Sequence, residues 1–274
     1  MASALPTFTL RDGDTLIEVV PARGALVTRL LVAGREVLYL DRATLEDASK
    51  NVRGGIPLLF PFAGRLAGDL FVPAGTTMNQ HGFGRNLAWS VPHGQPDSPD
   101  QLTMVLEASA ATRAQYPYDF RAQHTVQALP RGLQITLTVD NRGATPLPLA
   151  PGWHPYFTCA TSAKAAIRSD VAGLDHSRFS DEREFDFGMP VPPATRATFQ
   201  LPDLGQVSIG FGPALEYLQL WSLPGRPFVC LEPFVAAPDT INTPAARASD
   251  LAPGATRSYS FAIDFDARVS PAAG

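Results

Sequence analysis

The sequence predicts an all-β protein folded as one large antiparallel β-sandwich, and three observations carry that prediction. Among the 274 residues, 26 prolines and 22 glycines interrupt the chain so often that few stretches can hold a helix longer than about 10 residues. Between the breaks, β-branched, aliphatic and aromatic residues form short runs, several alternating with polar residues at the two-residue period of a half-buried strand. The chain shows no repeat of fixed period and no low-complexity tract, which argues against a propeller or solenoid and for a sandwich of about 15 or more strands.

The elements follow in chain order. From 15 to 40, TLIEVVPARGALVTRLLVAGREVLYL reads as consecutive antiparallel strands broken at Pro21, Gly24 and the Ala-Gly-Arg turn at 33–35. LTMVLEAS at 102–109 is a further strand, and 122–140 is a hairpin in which AQHTVQAL and LQITLTVD flank Pro130, Arg131 and Gly132. In its second arm Gln134, Thr136 and Thr138 alternate with Ile135, Leu137 and Val139, so one face is buried and the other wet. GQVSIGF at 205–211, EYLQLWSL at 216–223, FVCLEPF at 228–234 and RSYSFAIDF at 257–265 continue the pattern. No interior segment has the composition of a linker, so residues 1–274 are expected to form a single domain with a short flexible tail, SPAAG, at 270–274.

Composition narrows the function. Hydrophobic residues at 45% and charged residues at 18% supply a core and give no sign of disorder. A net charge of −4 offers no basic footprint for nucleic acid or an anionic membrane surface, so neither is expected as a partner. No apolar run approaches the roughly 20 residues that span a bilayer, and the opening MASALPTFTLRDGD lacks the basic and apolar regions of a leader; a cytoplasmic protein is expected. Cys159 and Cys230 sit in apolar surroundings without metal-ligand spacing and read as small buried hydrophobes.

Four stretches place hydrogen-bonding or charged groups inside apolar runs. RGGIPLLFPFAGR at 53–65 is bounded by Arg53 and Arg65, and QHGFGRNLAW at 80–89 gathers Gln80, His81 and Arg85 around two glycines that permit a tight turn. APGWHPYF at 150–157 confines His154 among aromatics, a setting that desolvates an imidazole and tunes its protonation. In CLEPF at 230–234, Glu232 interrupts a strand that is otherwise apolar, where a carboxylate must be paired, solvated by a cleft or chemically used. Arginine, histidine, glutamine and glutamate among aromatics are the groups that bind a polyhydroxylated ring and move protons on it.

In this order, RGGIPLLFPFAGR, QHGFGR, GWHPYF and LEPF followed by PDTINT at 238–243 resemble the aldose 1-epimerase and hexose-phosphate epimerase-like family, over about residues 10 to 265. The resemblance implies a galactose mutarotase-like supersandwich with a sugar cleft on its concave face. It implies Glu232 as general base, His154 as general acid, and His81 as the histidine that binds the sugar near its ring oxygen. Arg53, Gln80 and Arg85 are similar to the polar set of the hexose-6-phosphate branch, whereas Arg65 resembles the arginine at this place in the galactose branch. The family also uses a cleft aspartate, and Asp170, Asp175, Asp181 and Asp186 are all candidates for it.

The expected activity is interconversion of the α and β anomers of an aldohexose, with Glu232 and His154 on opposite sides of one pocket as two opposed proton carriers. No metal and no other cofactor is expected, and the partner is a small-molecule sugar or sugar phosphate bound by a monomer or homodimer. Three alternatives stand beside this. A hexose-6-phosphate epimerase would use Arg53 and Arg85 to neutralise the phosphate. A carbohydrate-binding or sensing protein would keep the cleft without the chemistry. A metalloenzyme of double-stranded β-helix type is disfavoured by the lack of a close His-x-His pair.

Overall fold

The hairpin written at 122–140 lies inside a seven-stranded antiparallel sheet in the computed structural model, which describes residues 5–247 and 249–267. The tail expected at 270–274 lies outside the described residues. In spatial order the strands are Arg168–Ser169, Arg196–Leu201, Gly205–Phe211, Thr256–Asp266, Gly132–Asn141, Phe120–Leu129 and Gln101–Glu107. Along Phe120–Leu129 every second residue is buried, beginning with Phe120, because successive side chains leave a strand on opposite faces. The same rule buries Tyr259, Phe261, Ile263 and Phe265 in Thr256–Asp266.

A second antiparallel sheet runs Phe185–Pro190, Tyr217–Ser222, Phe228–Phe234, Gly152–Trp153 and Leu58–Leu59, and Tyr156–Thr158 also pairs with Phe228–Phe234. The two sheets meet at Trp153, whose ring centroid lies 4.9 Å from that of Phe261 and whose Nε1 donates to His124 Nε2 at 3.1 Å. A four-stranded meander, Phe8–Asp12, Thr15–Val20, Leu26–Val32 and Arg35–Glu36, adds Leu10, Ile17, Val19, Val27 and Leu30 to the shared core. Three α-helical pieces, none longer than five residues, occur among the described residues, in keeping with the spacing of proline and glycine.

Strand Phe228–Phe234 differs from the others because all seven of its residues are buried. Val229 and Leu231 enter the inter-sheet core, while Phe228, Cys230, Glu232 and Phe234 point to the other face. That outer face is covered by loops instead of water, and the covered hollow is the site. Strand Phe185–Pro190, FDFGMP, escapes sequence reading because it holds Gly188 and ends in a proline; both are tolerated since it forms the edge of its sheet.

Candidate active site

Glu232 stands at one end of a polar row that crosses three strands. It is opposite Gln219 on Tyr217–Ser222, and Gln219 is opposite Gly188 on Phe185–Pro190, two residues from Asp186. Gly188 leaves space for this row, since a Cβ there would lie 2.4 Å from Gln219 Oε1. Gln219 Nε2 uses the space to donate to Asp186 Oδ1 at 2.5 Å.

His154 is brought to Glu232 by an interruption in the pairing. Gly152–Trp153 and Tyr156–Thr158 both pair with the Glu232 strand, but His154 and Pro155 between them do not, and His154 N–H donates to Pro57 O at 3.0 Å. With Trp153 anchored in the core, the next side chain is thrown to the opposite face, where the imidazole stacks on Tyr156 with centroids 4.7 Å apart. His154 Nε2 then lies 3.4 Å from Glu232 Oε1, with the two residues 6% and 2% exposed. The pair is therefore side by side, which corrects the expectation that the two stand on opposite sides of one pocket.

Burial shifts the two in opposite directions. It holds the Glu232 carboxyl well above the carboxylate range, an effect that Asp186 reinforces and Arg85 opposes. It pushes His154 down to about 3, helped by the charges of Arg85 and Arg53. Burial thus disfavours both the Glu232 carboxylate and the His154 imidazolium, and a protonated Glu232 beside a neutral His154 has the same proton count as a carboxylate beside an imidazolium.

His81 adopts the left-handed conformation at φ 71 and is tied twice to Gly64: its N–H donates to Gly64 O at 2.8 Å, and its Nδ1 accepts from Gly64 N–H at 2.9 Å. This fixes the tautomer with the proton on Nε2. Burial, followed by the charge of Arg85, keeps the ring neutral by lowering its pKa well below that of free histidine. Gly64 itself lies at φ 86, and a Cβ there would come 2.5 Å from Pro238, so glycine is what allows PDTINT to close over this loop.

Three arginines also line the cavity. Arg85 is partly buried, donates from Nη2 to Gln80 O at 3.2 Å, and keeps a buried Nε with no partner among the described residues. Arg53 is exposed and its guanidinium lies 5.7 Å from the centroid of the Trp221 ring. Arg65, also exposed, reaches Gln80 Oε1 at 3.3 Å and Asp69 at 3.4 Å.

All seven residues picked from the sequence, Glu232, His154, His81, Arg53, Arg65, Gln80 and Arg85, line one cavity of about 790 Å³. Of the four candidate aspartates only Asp186 lines it. Asp181 pairs with the buried Lys164 at 2.5 Å, Asp170 accepts from Thr198 N–H at 2.7 Å, and Asp175 accepts from Ser177 N–H at 3.0 Å. Lys50, Asn51, Gln219 and Trp221 also face the cavity and were missed by sequence reading. The alternation in EYLQLWSL could have pointed to Gln219 and Trp221, which share its non-core face; the loop residues gave no such signal.

His154, Cys230 and Glu232 present three donor atoms within 4.8 Å of one another. The set does not suit a resident cation. Both cysteines are free, Cys230 does not line the cavity, burial pushes its thiol well above the ordinary range, and a dication would face Arg85.

Fold and cavity together define a galactose mutarotase-like sandwich with a polar, arginine-walled sugar-sized hollow. The chain belongs to the aldose 1-epimerase family, which it matches over residues 6–208. It is 36% identical over 152 residues to a Salmonella typhimurium protein described as "Putative glucose-6-phosphate 1-epimerase", a match covering 55% of this chain and 46% of that one. The chain spans about half the length of the curated relatives it matches. Among solved structures, the Slr1438 protein from Synechocystis sp. PCC 6803 superposes with a TM-score of 0.86 at 30% identity, covering 97% of each chain. A galactose mutarotase related enzyme from Lactobacillus acidophilus shares the fold, with a TM-score of 0.78 at 18% identity and coverage of 95% of this chain and 97% of that one.

Proposed function

We propose that this protein is an aldose 1-epimerase that interconverts the α and β anomers of an aldohexose by acid–base opening and closure of the ring. The observation that carries the reading is the 3.4 Å approach of His154 Nε2 to Glu232 Oε1 in the wall of a cavity large enough for a pyranose. Moving the shared proton from Glu232 to His154 creates a base and an acid together with no change in net charge. Glu232 then takes the proton of the C1 hydroxyl while His154 gives one to the ring oxygen; the C1–O5 bond breaks and the aldehyde forms. This leaves Glu232 protonated and His154 neutral, the form that burial favours. Rotation about C1–C2 presents the other face of the aldehyde, and reclosure reverses both transfers. His81, with its proton on Nε2, is a donor for a sugar oxygen.

A phosphorylated hexose is favoured over the free sugar by the four cations of the cavity. Lys50, Arg53, Arg65 and Arg85 line it together with Glu184, Asp186 and Glu232. The name of the Salmonella relative supports the same choice.

Polarimetry on freshly dissolved α-glucose and on glucose 6-phosphate tests both levels of the reading. The wild-type protein should accelerate mutarotation, with the lower KM for the phosphate, and Glu232→Gln should lower kcat by about 10²–10⁴-fold with the circular dichroism spectrum unchanged. Near-normal mutarotation by Glu232→Gln would refute the assignment. Sugar binding without acceleration in the wild type would point to a binding protein.

A further inference from the structure

The turn Pro21–Arg23, closed by Gly24, lies outside the cavity yet touches both segments that carry Arg53 and Arg85. Arg23 Nη2 donates to three main-chain carbonyls of loop 41–53, those of Thr44 at 3.0 Å, Asp47 at 3.1 Å and Lys50 at 2.9 Å. These follow or end the short helix Arg42–Glu46, where carbonyls lack helical partners, so one guanidinium satisfies the carbonyls of Thr44 and Lys50 and shares that of Asp47 with Lys50 N–H. The loop is closed at its ends: Asp41 N–H donates to Arg53 O at 2.9 Å, and Arg53 N–H donates to Thr44 Oγ1 at 2.9 Å. Arg53 is thus the closing residue of an Ω-shaped loop whose interior is filled by Arg23.

The other end of the turn bears on Arg85. Gly24, at φ 78, lies flush against the Arg85 main chain, where a Cβ would come 2.3 Å from Arg85 O. Pro21 O accepts from Trp89 N–H at 3.0 Å, and Trp89 Nε1 donates to Gly84 O at 3.0 Å, which fastens the segment around Arg85 to the same turn. Arg53 and Arg85 are near enough that the charge of one lowers the pKa of the other. Two like charges on separate loops drift apart unless something outside them fixes their spacing.

We infer that the turn at 21–24 is a strut that sets the distance between Arg53 and Arg85, and that Arg23 is a positioning residue for an anionic substituent on the sugar. The inference rests on the reading of the cavity as a site for a phosphorylated hexose. Arg23 does not line the cavity, and Glu232 is held by its strand and His154 by the bond from its N–H to Pro57 O, so the effect of Arg23 is confined to binding of the anion.

The test compares KM and kcat on glucose 6-phosphate and glucose for Arg23→Ala, Arg23→Lys and Arg53→Ala. Arg23→Ala should raise KM for the phosphate by about tenfold, equivalent to roughly 1.4 kcal/mol, with kcat and the KM for glucose within about twofold. Arg23→Lys, which keeps the charge but not the fork of donors, should fall between wild type and Arg23→Ala. In the Arg53→Ala background, adding Arg23→Ala should raise KM no further. An equal rise for both sugars, full additivity with Arg53→Ala, or an unchanged KM for the phosphate would overturn the inference. If Arg23→Ala does not fold, Arg23→Lys and its combination with Arg53→Ala decide in the same way. Absence of mutarotation in the wild type would count against the epimerase reading itself; calorimetric titration with glucose 6-phosphate, which needs no turnover, then still tests Arg23.

Discussion

In the proposed mechanism the chemistry turns on one proton shared by Glu232 and His154, and this has a measurable signature. The singly protonated pair is lost to acid when His154 also takes a proton, and its pKa is pushed down to about 3. It is lost to alkali when Glu232 gives its proton up, and that pKa lies well above the ordinary carboxylate range. A depressed histidine and a raised glutamate therefore widen the active range on both sides. With free glucose as substrate, which does not titrate here, kcat/KM corrected for the solvent reaction should stay level through neutral pH and fall on the acid side only as pH approaches 3. A fall centred near pH 6.5 as pH rises would mean that an ordinary imidazolium is the acid in the free protein, and would exclude the shared proton. At this scale the sequence was informative because a titratable residue inside an apolar run has few explanations, which is why Glu232 and His154 stood out. Asp186 did not, because it lies in an edge strand whose glycine and proline hide its alternation.

Among the elements, the segment PDTINT shows how a motif legible in the sequence acquires its meaning only from packing. Asn242 is its most connected residue: its Oδ1 accepts from Val72 N–H at 2.9 Å, and its Nδ2 donates to Leu70 O at 2.8 Å and to Asp239 Oδ1 at 2.6 Å. Asp239 in turn accepts from Ala67 N–H at 3.1 Å, so the motif staples loop 66–72 to the end of the Glu232 strand. Asn242→Ala leaves Val72 N–H and Leu70 O without these partners and should cost roughly 2 kcal/mol, read as a lower urea midpoint at unchanged slope. A loss below half that value would show that water replaces the amide. The longest strands were read within one or two residues because alternation marks them, as in Phe120–Leu129 and Thr256–Asp266, while Phe228–Phe234 showed as an apolar run. The loops that roof the site were not, because Arg23 and Thr44 act through backbone partners, which leave no periodic trace in the chain.

For the molecule as a whole, the two sheets are joined through a buried histidine whose lowered pKa predicts an acid-sensitive fold. His124 is fully buried, accepts the Trp153 indole N–H at its Nε2, and is held to a pKa of about 3 by burial alone. A folded-state pKa below the unfolded value means the neutral ring contributes its full stability above the unfolded pKa of about 6.5, and loses it progressively as pH falls toward the folded value. Between pH 7 and pH 5 the unfolded chain gains the proton that the folded one refuses, which amounts to about 2 kcal/mol from this residue. His154 and His81 act in the same direction, while Glu232, with its raised pKa, acts against them by binding its proton more tightly when folded. His124 has no such counterweight. His124→Gln keeps an acceptor for Trp153 but does not titrate, so its urea-derived stability should fall between pH 7 and pH 5 by about 2 kcal/mol less than that of the wild type. Equal losses in the two proteins would mean that the histidine at the sheet junction takes up its proton without unfolding, and that the junction is not the acid-labile point of the sandwich.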